Sequence, residues 1–357
     1  MCQRDPVQCI IPPYMTERLL RSDNPAVRAR AEANVLASAT MRVRRARAHS
    51  EHALLGRRTP TPGKRRLIYD VKHTDRLPGV IVRAEGHPAS KDAAVNEAYD
   101  HAGSTYDFYR TVFNRDSLDN MGLTLVGSVH LAESDGHGGY VPLDNAFWDG
   151  TQMAYGDGDD LIFQRFTRSL DVVGHELTHG VQSFTSNLAY EGQSGALNEH
   201  FADVFGALVR QWKNQEQAKS ADWLIGRDVL VPAPTRRGVR DMEHPGTAYT
   251  SDPYLGTDPQ PGHMSKLYEG ASDNGGVHIN SGIPNRAFVL AAKAIGGNAW
   301  DVTGRIWFDT MLKLTNHAQF QECAEVSIEF ASQHGDAAAK AVRHGWSNVG
   351  VARKVYA

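Results

Sequence analysis

His175-Glu176-Leu177-Thr178-His179 puts two imidazoles four residues apart inside an apolar stretch running from Asp171 to Phe184. A helix turns once every 3.6 residues, so positions i and i+4 share a face and both rings can reach one metal ion. Glu176, one residue on, is within reach of a water on that ion. The same five-residue pattern also arises as two surface histidines around a solvated glutamate, so it needs a partner. Asn198-Glu199-His200-Phe201-Ala202-Asp203 supplies one and opens a second helical pattern. A hydrolytic zinc site takes three protein ligands and keeps one position open, and Glu199 completes a set of two imidazoles and a carboxylate. Asp203 lies one turn further along the same face, where it can accept the second ring N–H of His175 and fix its tautomer. His200 points about 100° away around the helix and reads as structural. The chemistry on offer is hydrolysis by a zinc-activated water.

The elements that must position these groups follow from patterning. With 357 residues, 41% apolar and 22% charged, the chain has the length of two domains; collagen, low-complexity disorder and a coiled-coil rod are excluded. Residues 1–55 read as a helical arm, with a break near Ser22-Asp23-Asn24-Pro25, and residues 56–66 as a basic exposed linker. Residues 67–168 carry short β-rich runs and one helical stretch around 92–112. Residues 169–357 are mainly helical, with the zinc helix near 170–184 at the junction. The expected class is α+β, with a cleft between unlike halves. No apolar run approaches the roughly 18–20 residues of a spanning helix, so no membrane partner is expected. Met1 to Asp5 lack the apolar stretch of a secretory signal, which makes cytoplasmic residence, or release by a non-classical route, the expectation. Three cysteines (Cys2, Cys9, Cys323) build no disulfide framework.

Taken together, His175 to His179, Gly195-Ala196-Leu197-Asn198-Glu199 and Asp203 resemble the thermolysin family of zinc endopeptidases. Asn145-Ala146-Phe147-Trp148, Met153 to Asp159 and Asp273-Asn274-Gly275-Gly276-Val277-His278 follow in the family's order. The resemblance covers roughly residues 67–357 and implies a two-domain fold with the zinc site in the cleft between a β-rich and a helical domain. It also implies Glu176 as general base and then general acid, Tyr190 and His278 as oxyanion donors, and Asp273 as the group orienting His278. Asn145 and the backbone of Ala146 resemble the substrate-binding edge, and Arg240 the arginine that holds the carbonyl on the leaving-group side. Phe163, Phe166, Val172 and Val239 fall at the register of the primed-side pocket, which implies cleavage before bulky hydrophobic residues. The front end resembles the protealysin-like branch, in which a short propeptide, here carrying Ile11-Pro12-Pro13-Tyr14, covers the cleft.

Two departures follow. Carrying the family's double calcium site across puts Asp171 and Asp222 in place, but Arg210, Leu224 and Arg227 where acids belong. Hard Ca²⁺ needs several oxygens, so that site is expected to be lost, with a guanidinium pairing Asp171 or Asp222 instead. Calcium among Asp157, Asp159 and Asp160 stays open beside a simple Gly-Asp turn. Residues 1–66 hold 14 Lys and Arg against 5 Asp and Glu, and the remainder 24 against 36. An inhibitory arm attracted to an acidic body fits this asymmetry, with a cut between about Met41 and Lys64 releasing the enzyme. A polyanion-binding tail also fits, with nucleic acid the less favoured partner. Cys2 or Cys9 could cap the zinc as a thiolate. A zinc-binding scaffold without turnover is the alternative of a different class, and an aminopeptidase would need an acidic pocket for a free amine.

Overall fold

The computed structural model describes residues 9–54, 61–135 and 137–351. Cys2 and linker positions 56–60 lie outside the described residues. The arm is two helices, α1 (Pro13–Leu19) and α2 (Pro25–Leu54), and the break between them falls at Leu20 to Asn24. Pro12 is extended and Pro13 sits at the first helical position, where a missing N–H costs no intrahelical bond.

Strands β1 (Arg66–Asp70), β2 (Val80–Ala84), β3 (Leu125–Ser134), β4 (Tyr140–Pro142), β5 (Ala146–Trp148) and β6 (Met153–Gly156) form one mixed sheet in the order β2-β1-β3-β6-β5, with β4 paired to β3. The β1–β3 and β3–β6 pairs are parallel, whereas β5 runs antiparallel to β6 at the sheet edge. Helix α3 (Ala93–Phe113) packs on this sheet; its N-cap Asp92 accepts from the amides of Ala94 and Val95. The second half is helical: α4 (Leu170–Ser183), α5 (Gly192–Asn214), α6 (Ser272–Asn280), α7 (Gly282–Ile295), α8 (Val302–Lys313), α9 (Phe320–Gln333) and α10 (Asp336–Asn348). A two-stranded pair, β7 (Leu224–Ile225) and β8 (Arg240–Asp241), lies between α5 and α6. The α+β class and its two unlike halves are therefore as the sequence implied. No described helix is long and apolar enough to cross a membrane.

Helix α4 is buried from Asp171 to Gln182, so it is the shared wall of the two halves. It meets α5 at a pair of glycines. A Cβ on Gly174 would stand 3.2 Å from the Gly206 Cα, and one on Gly206 would stand 2.5 Å from the Asp171 carbonyl oxygen. Any larger residue would push the helices apart, so this close approach sets how near Glu199 comes to the two histidines.

Arg210 lies against the start of α4. It donates to Asp171 Oδ2 at 2.9 Å and to the Leu224 carbonyl at 2.8 Å; it also donates to the Asp222 carbonyl, with Asp222 Oδ1 at 3.8 Å. Arg227 pairs with the other carboxylate oxygen of Asp222. Asp159 Oδ1 accepts from the amides of Leu161, Ile162 and Phe163, the Gly-Asp turn in its plain form, while Asp157 turns toward His130.

The Arg210 and Arg227 pairs separate by burial. Arg210→Ala leaves the buried Asp171 carboxylate without its cation and is expected to lower stability by about 3–5 kcal/mol, with Arg210→Lys recovering only part because an ammonium cannot fork. Arg227 is half exposed, and Arg227→Ala is expected to cost less than about 1 kcal/mol. Urea unfolding of the three variants checks the ranking.

Candidate active site

His175, Glu176 and His179 of α4 and Glu199 of α5 are all fully buried. The two histidine Nε2 atoms stand 3.1 Å apart; His175 Nε2 is 3.5 Å from Glu199 Oε2, and His179 Nε2 is 3.4 Å from Glu199 Oε1. Each ring has its other nitrogen anchored: His175 Nδ1 lies 2.9 Å from Asp203 Oδ1, and His179 Nδ1 is 2.8 Å from Asn198 Oδ1. Both tautomers are thereby set with Nε2 facing Glu199. Glu199 Oε2 is a buried carboxylate oxygen with no hydrogen-bond partner of its own. Two imidazole nitrogens and a carboxylate converging at these spacings fit a zinc ion, and a buried charge of this kind needs a cation. Glu176 Oε2 accepts from the Trp148 amide at 3.2 Å, which ties the carboxylate to β5 beside the cluster.

Facing the cluster, Tyr190 donates its hydroxyl to Glu199 Oε1, and its oxygen lies 3.2 Å from His278 Nε2. His278 enters from α6 after a left-handed run over Asp273, Asn274, Gly275 and Gly276, with φ of 55, 52, 82 and 81°. Glycine is required at its end: a Cβ on Gly276 would meet the Tyr268 ring at 2.6 Å. The turn folds Asp273 back so that Oδ1 takes His278 Nδ1 at 2.6 Å and Oδ2 takes the His278 amide at 2.8 Å. Burial opposes charging of the imidazole, but Glu199 and Asp273 outweigh it and hold the His278 pKa up at about 9. A cation on Glu199 would weaken the first of these two pulls.

Asp203 is the hub behind the site. Arg240 reaches it through Nε at 2.8 Å and Nη2 at 2.8 Å, and Asn285 Nδ2 donates at 2.9 Å. Burial would raise its pKa, yet the Arg240 charge and then His175 keep the carboxyl far below the usual range. Arg240 is itself fully buried, and its Nη1 donates at 3.0 Å to the carbonyl of Ile10. His200, read as structural, accepts from Trp307 Nε1 at 2.8 Å and bonds Asn285 at 2.8 Å through Nδ1; burial keeps it neutral, with a pKa near 4.

The arm runs through the middle of this arrangement. Cys9 forms an antiparallel bridge with Phe147 on the outer edge of β5, and the Ile11 amide donates to Asn145 Oδ1 at 3.1 Å. His278 Nε2 lies 3.2 Å from the Cys9 carbonyl. Asn145, Arg240 and His278 thus all bond the main chain of residues 9–11, next to the Cys9–Phe147 bridge on the edge. Ile10, Ile11, Met15 and Leu19 are buried in the same apolar cluster as Phe163, Phe166, Val172 and Val239. Ala33, Ala37 and Met41 of α2 pack with Cys9, Leu143 and Phe147 in a second one. Pro12 is buried, with Pro13 and Tyr14 partly so. The Cys9 thiol donates to the Ile11 carbonyl at 3.3 Å, and burial, with Glu176 and Glu199 adding to it, pushes its pKa far up. That hydrogen bond turns the Cys9 sulfur to the arm's own main chain. Cys323 is buried in α9.

Sequence reasoning passed over Asn198, Asn285, Phe147 and the Trp148 amide. Asn198 stood within the quoted Asn-Glu motif, and its place beside a ligand was the available signal.

Comparison with known proteins bears on the same residues. A family model described as "Thermolysin metallopeptidase, catalytic domain" matches residues 60–183, and one described as "Thermolysin metallopeptidase, alpha-helical domain" matches 186–351. An "Extracellular metalloprotease" of Pectobacterium carotovorum subsp. carotovorum is 44% identical over 97% of this chain and 97% of its own length. "Protease PrtS" of Photorhabdus sp. (strain Az29) is 46% identical over 80% of this chain and 76% of its own. The solved structure of the precursor of protealysin, a metalloproteinase from Serratia proteamaculans, superposes with a TM-score of 0.85 at 45% identity, covering 97% of this chain and 100% of that one. The expectation of cytoplasmic residence or non-classical release is corrected by these relatives, one of which is named for its extracellular place. An apolar stretch missing from the first residues was too weak a ground for it. With zinc as the metal the family implies, the chain belongs to the thermolysin family of metallopeptidases, in the branch of the protealysin precursor, and is a metalloprotease.

Proposed function

We propose that this metalloprotease is a latent endopeptidase whose own arm occupies the place of the substrate. The observation that carries the reading is that Asn145, Arg240 and His278 each hydrogen-bond the main chain of residues 9–11, on the edge of β5. An extended peptide added to a sheet edge is held through its backbone, and apolar pockets then read alternate side chains.

The ligands would be His175, His179 and Glu199, and a bound zinc supplies a Lewis acid that acidifies water and polarises a carbonyl. Glu176, held at Oε2 by the Trp148 amide, accepts the proton of the attacking water and returns it to the leaving amine. Tyr190 and His278 donate to the oxygen on which charge develops, His278 being oriented by Asp273. Asn145 and the edge around Ala146 and Phe147 align the substrate, and Arg240, braced by Asp203, holds the carbonyl on the leaving-group side. The apolar environment of Phe163, Phe166, Val172 and Val239 favours a bulky hydrophobic residue after the cut bond. An arm cut between about Met41 and Lys64 then frees the cleft, and the enzyme acts outside the producing cell, as the name of its relative states for that protein. Arg210 and Arg227 stand in for the calcium ions of the double site, so added calcium is without effect there.

Glu176→Gln is expected to lower hydrolysis of a blocked peptide by about 10²–10⁴-fold with the zinc content unchanged. Metal analysis and the peptide assay on the arm-free enzyme measure both; a wild type that stays inert after the arm is removed favours the scaffold reading. Ile10→Asp or Ile11→Asp inserts a charge into the apolar seat of the arm and is expected to give peptidase activity to the uncut chain, whereas Arg28→Ala on the arm leaves it latent. The seat also responds to pH. Asp144 is buried under α2, where its amide donates to Asn34 and Arg30 Nη1 stands 3.5 Å from Oδ1. Burial, with Asp159 adding and Arg30 only partly offsetting, pushes its pKa up to about 8. A pKa raised by docking means protonation favours docking: the contribution is full below the ordinary carboxylate range and is lost as pH rises through about 8. In a Glu176→Ala chain nicked in the linker, size-exclusion chromatography is expected to find the arm retained at about pH 5 and shed increasingly toward about pH 9, with Asp144→Asn flattening the dependence.

A further inference from the structure

Away from the cleft, three segments bring imidazoles and a carboxylate together: His73 in the β1–β2 connection, His130 in β3 and Asp157 just after β6. His130 Nδ1 lies 3.0 Å from Asp157 Oδ1 and 2.9 Å from Oδ2; His73 Nδ1 lies 3.3 Å from that same Oδ2. The two imidazole rings are 4.9 Å apart between centroids. The catalytic cluster offers an internal standard: its two Nε2 atoms stand 3.1 Å apart, and they lie 3.5 and 3.4 Å from the two different oxygens of Glu199. Donors about 2.0–2.1 Å from a tetrahedral zinc are about 3.3–3.4 Å apart, and in both clusters one ligand atom from each residue lies within 4.8 Å of the others.

The orientation of His130 adds to this. It sits at the break in register between Ser128 and Leu131, with a left-handed φ of 63°, so the bulge turns its ring out of the strand alternation. Its Nε2 is taken by Asp92 Oδ2 at 2.8 Å, and the other oxygen of Asp92 is fixed at the α3 N-terminus by the amides of Ala94 and Val95. Asp92 therefore orients the ring, and Nδ1 is the atom directed at Asp157. A carboxylate behind one imidazole nitrogen and an ion on the other is the usual arrangement of a metal-bound histidine. Arg165, a nearby cation, is tied to Glu97 at 2.7 Å. His73 is 62% exposed at its side chain, which leaves the outer coordination positions to water.

We propose that His73, His130 and Asp157 form a second metal site, one that takes a transition ion such as zinc and not calcium. Two nitrogens and one carboxylate suit zinc, nickel or copper, whereas calcium asks for six or more oxygens. With three ligands and open access, this site binds more weakly than the buried cluster and loses its ion first on dialysis. It joins the β1–β2 connection, the bulge of β3 and the turn whose Gly158 carbonyl accepts Arg30 of the arm.

The test uses the full chain carrying Glu176→Ala, which keeps the catalytic ligands, equilibrated with excess Zn²⁺ and analysed for metal per chain by mass spectrometry. A second equivalent of zinc is expected, absent from the His73→Ala and Asp157→Asn forms while the first equivalent remains. Because His73 is exposed, His73→Ala retains the fold, and an unchanged circular dichroism spectrum confirms that. A single equivalent in the parent chain, or a second equivalent that survives His73→Ala, overturns the proposal. Ca²⁺ in place of Zn²⁺ should leave the site empty, and calcium uptake lost with Asp157→Asn overturns the stated selectivity. The readout is metal content, so it stands or falls separately from the proposed latency and mechanism.

Discussion

One buried carboxylate holds the site together. Asp203 faces the ligand imidazole of His175 on one side and the guanidinium of Arg240 on the other, with Asn285 on a remaining lone pair, and none of the three side chains that form the ion pairs touches solvent. A fully buried anion is tolerated only when its oxygens are all engaged, and removing a partner from such a set costs about 3–5 kcal/mol. The same pairing that makes Asp203 acceptable in the core therefore fixes two functional groups at once. It presents His175 Nε2 toward Glu199 and His179, and it aims Arg240 Nη1 at the peptide lying in the cleft. His200 and Trp307 extend the network behind Asn285, which explains a histidine next to a ligand that does not itself turn toward the cluster.

The network can act only because α4 and α5 cross so closely. Gly174 and Gly206 meet backbone to backbone, and that contact brings Glu199 from the second helix within 3.5 Å of both ligand imidazoles. A wider crossing would leave the carboxylate short of them, since a glutamate side chain cannot make up a displacement of the whole helix. The two halves of the fold are joined at α4, so the sheet edge at β5 and the helical cluster share one reference frame: the Trp148 amide of β5 holds Glu176 of α4. A peptide lying along β5 is thereby placed against the zinc cluster without any flexible connection.

Much of this was legible where the signal is local. The spacing of His175 and His179 needs only helical periodicity, and Glu199 and Asp203 were found by asking which residue types complete a hydrolytic zinc site. A helical arm, a β-rich first half and its one long helix were expected from Gly, Pro and hydrophobic period, whereas the parallel pairing inside the sheet was not. What escaped was either main chain or tertiary. The Trp148 amide and the Phe147 bridge carry no residue-type signal, because every residue has an amide. Asn198 and Asn285 are polar positions in amphipathic helices, and only the burial of both faces shows that they point inward. Gly174 and Gly206 lie 32 positions apart in the numbering, and neither announces the other. Tyr190, His278 and Arg240 came from family resemblance rather than from the residues themselves, since their convergence depends on a left-handed turn and a short strand pair far along the chain.

The arm shows how charge can mislead about energy. Its surplus of arginines against an acidic body suggests electrostatic docking, yet among the described residues the contact surface is mainly apolar: Ile10, Ile11, Met15 and Leu19 in one cluster, Ala33, Ala37 and Met41 in another. Arg30 reaches a buried carboxylate, but at 3.5 Å it leaves Asp144 poorly compensated. Exposed charges are screened beyond about 8–10 Å at physiological salt, so the positive surplus steers more than it holds. Apolar burial at about 25 cal/mol per Å² does the holding, and the backbone bonds to Asn145, Arg240 and His278 set the register. This division suits the proposed latency. The hydrogen bonds that fix the arm are ones any extended peptide can replace, whereas the apolar anchors on α1 and α2 belong to the arm alone. On the proposed latency, the attached arm is held in the cleft by its anchors at a high effective concentration, and a cut in the chain would make dissociation bimolecular, so that dilution favours substrate.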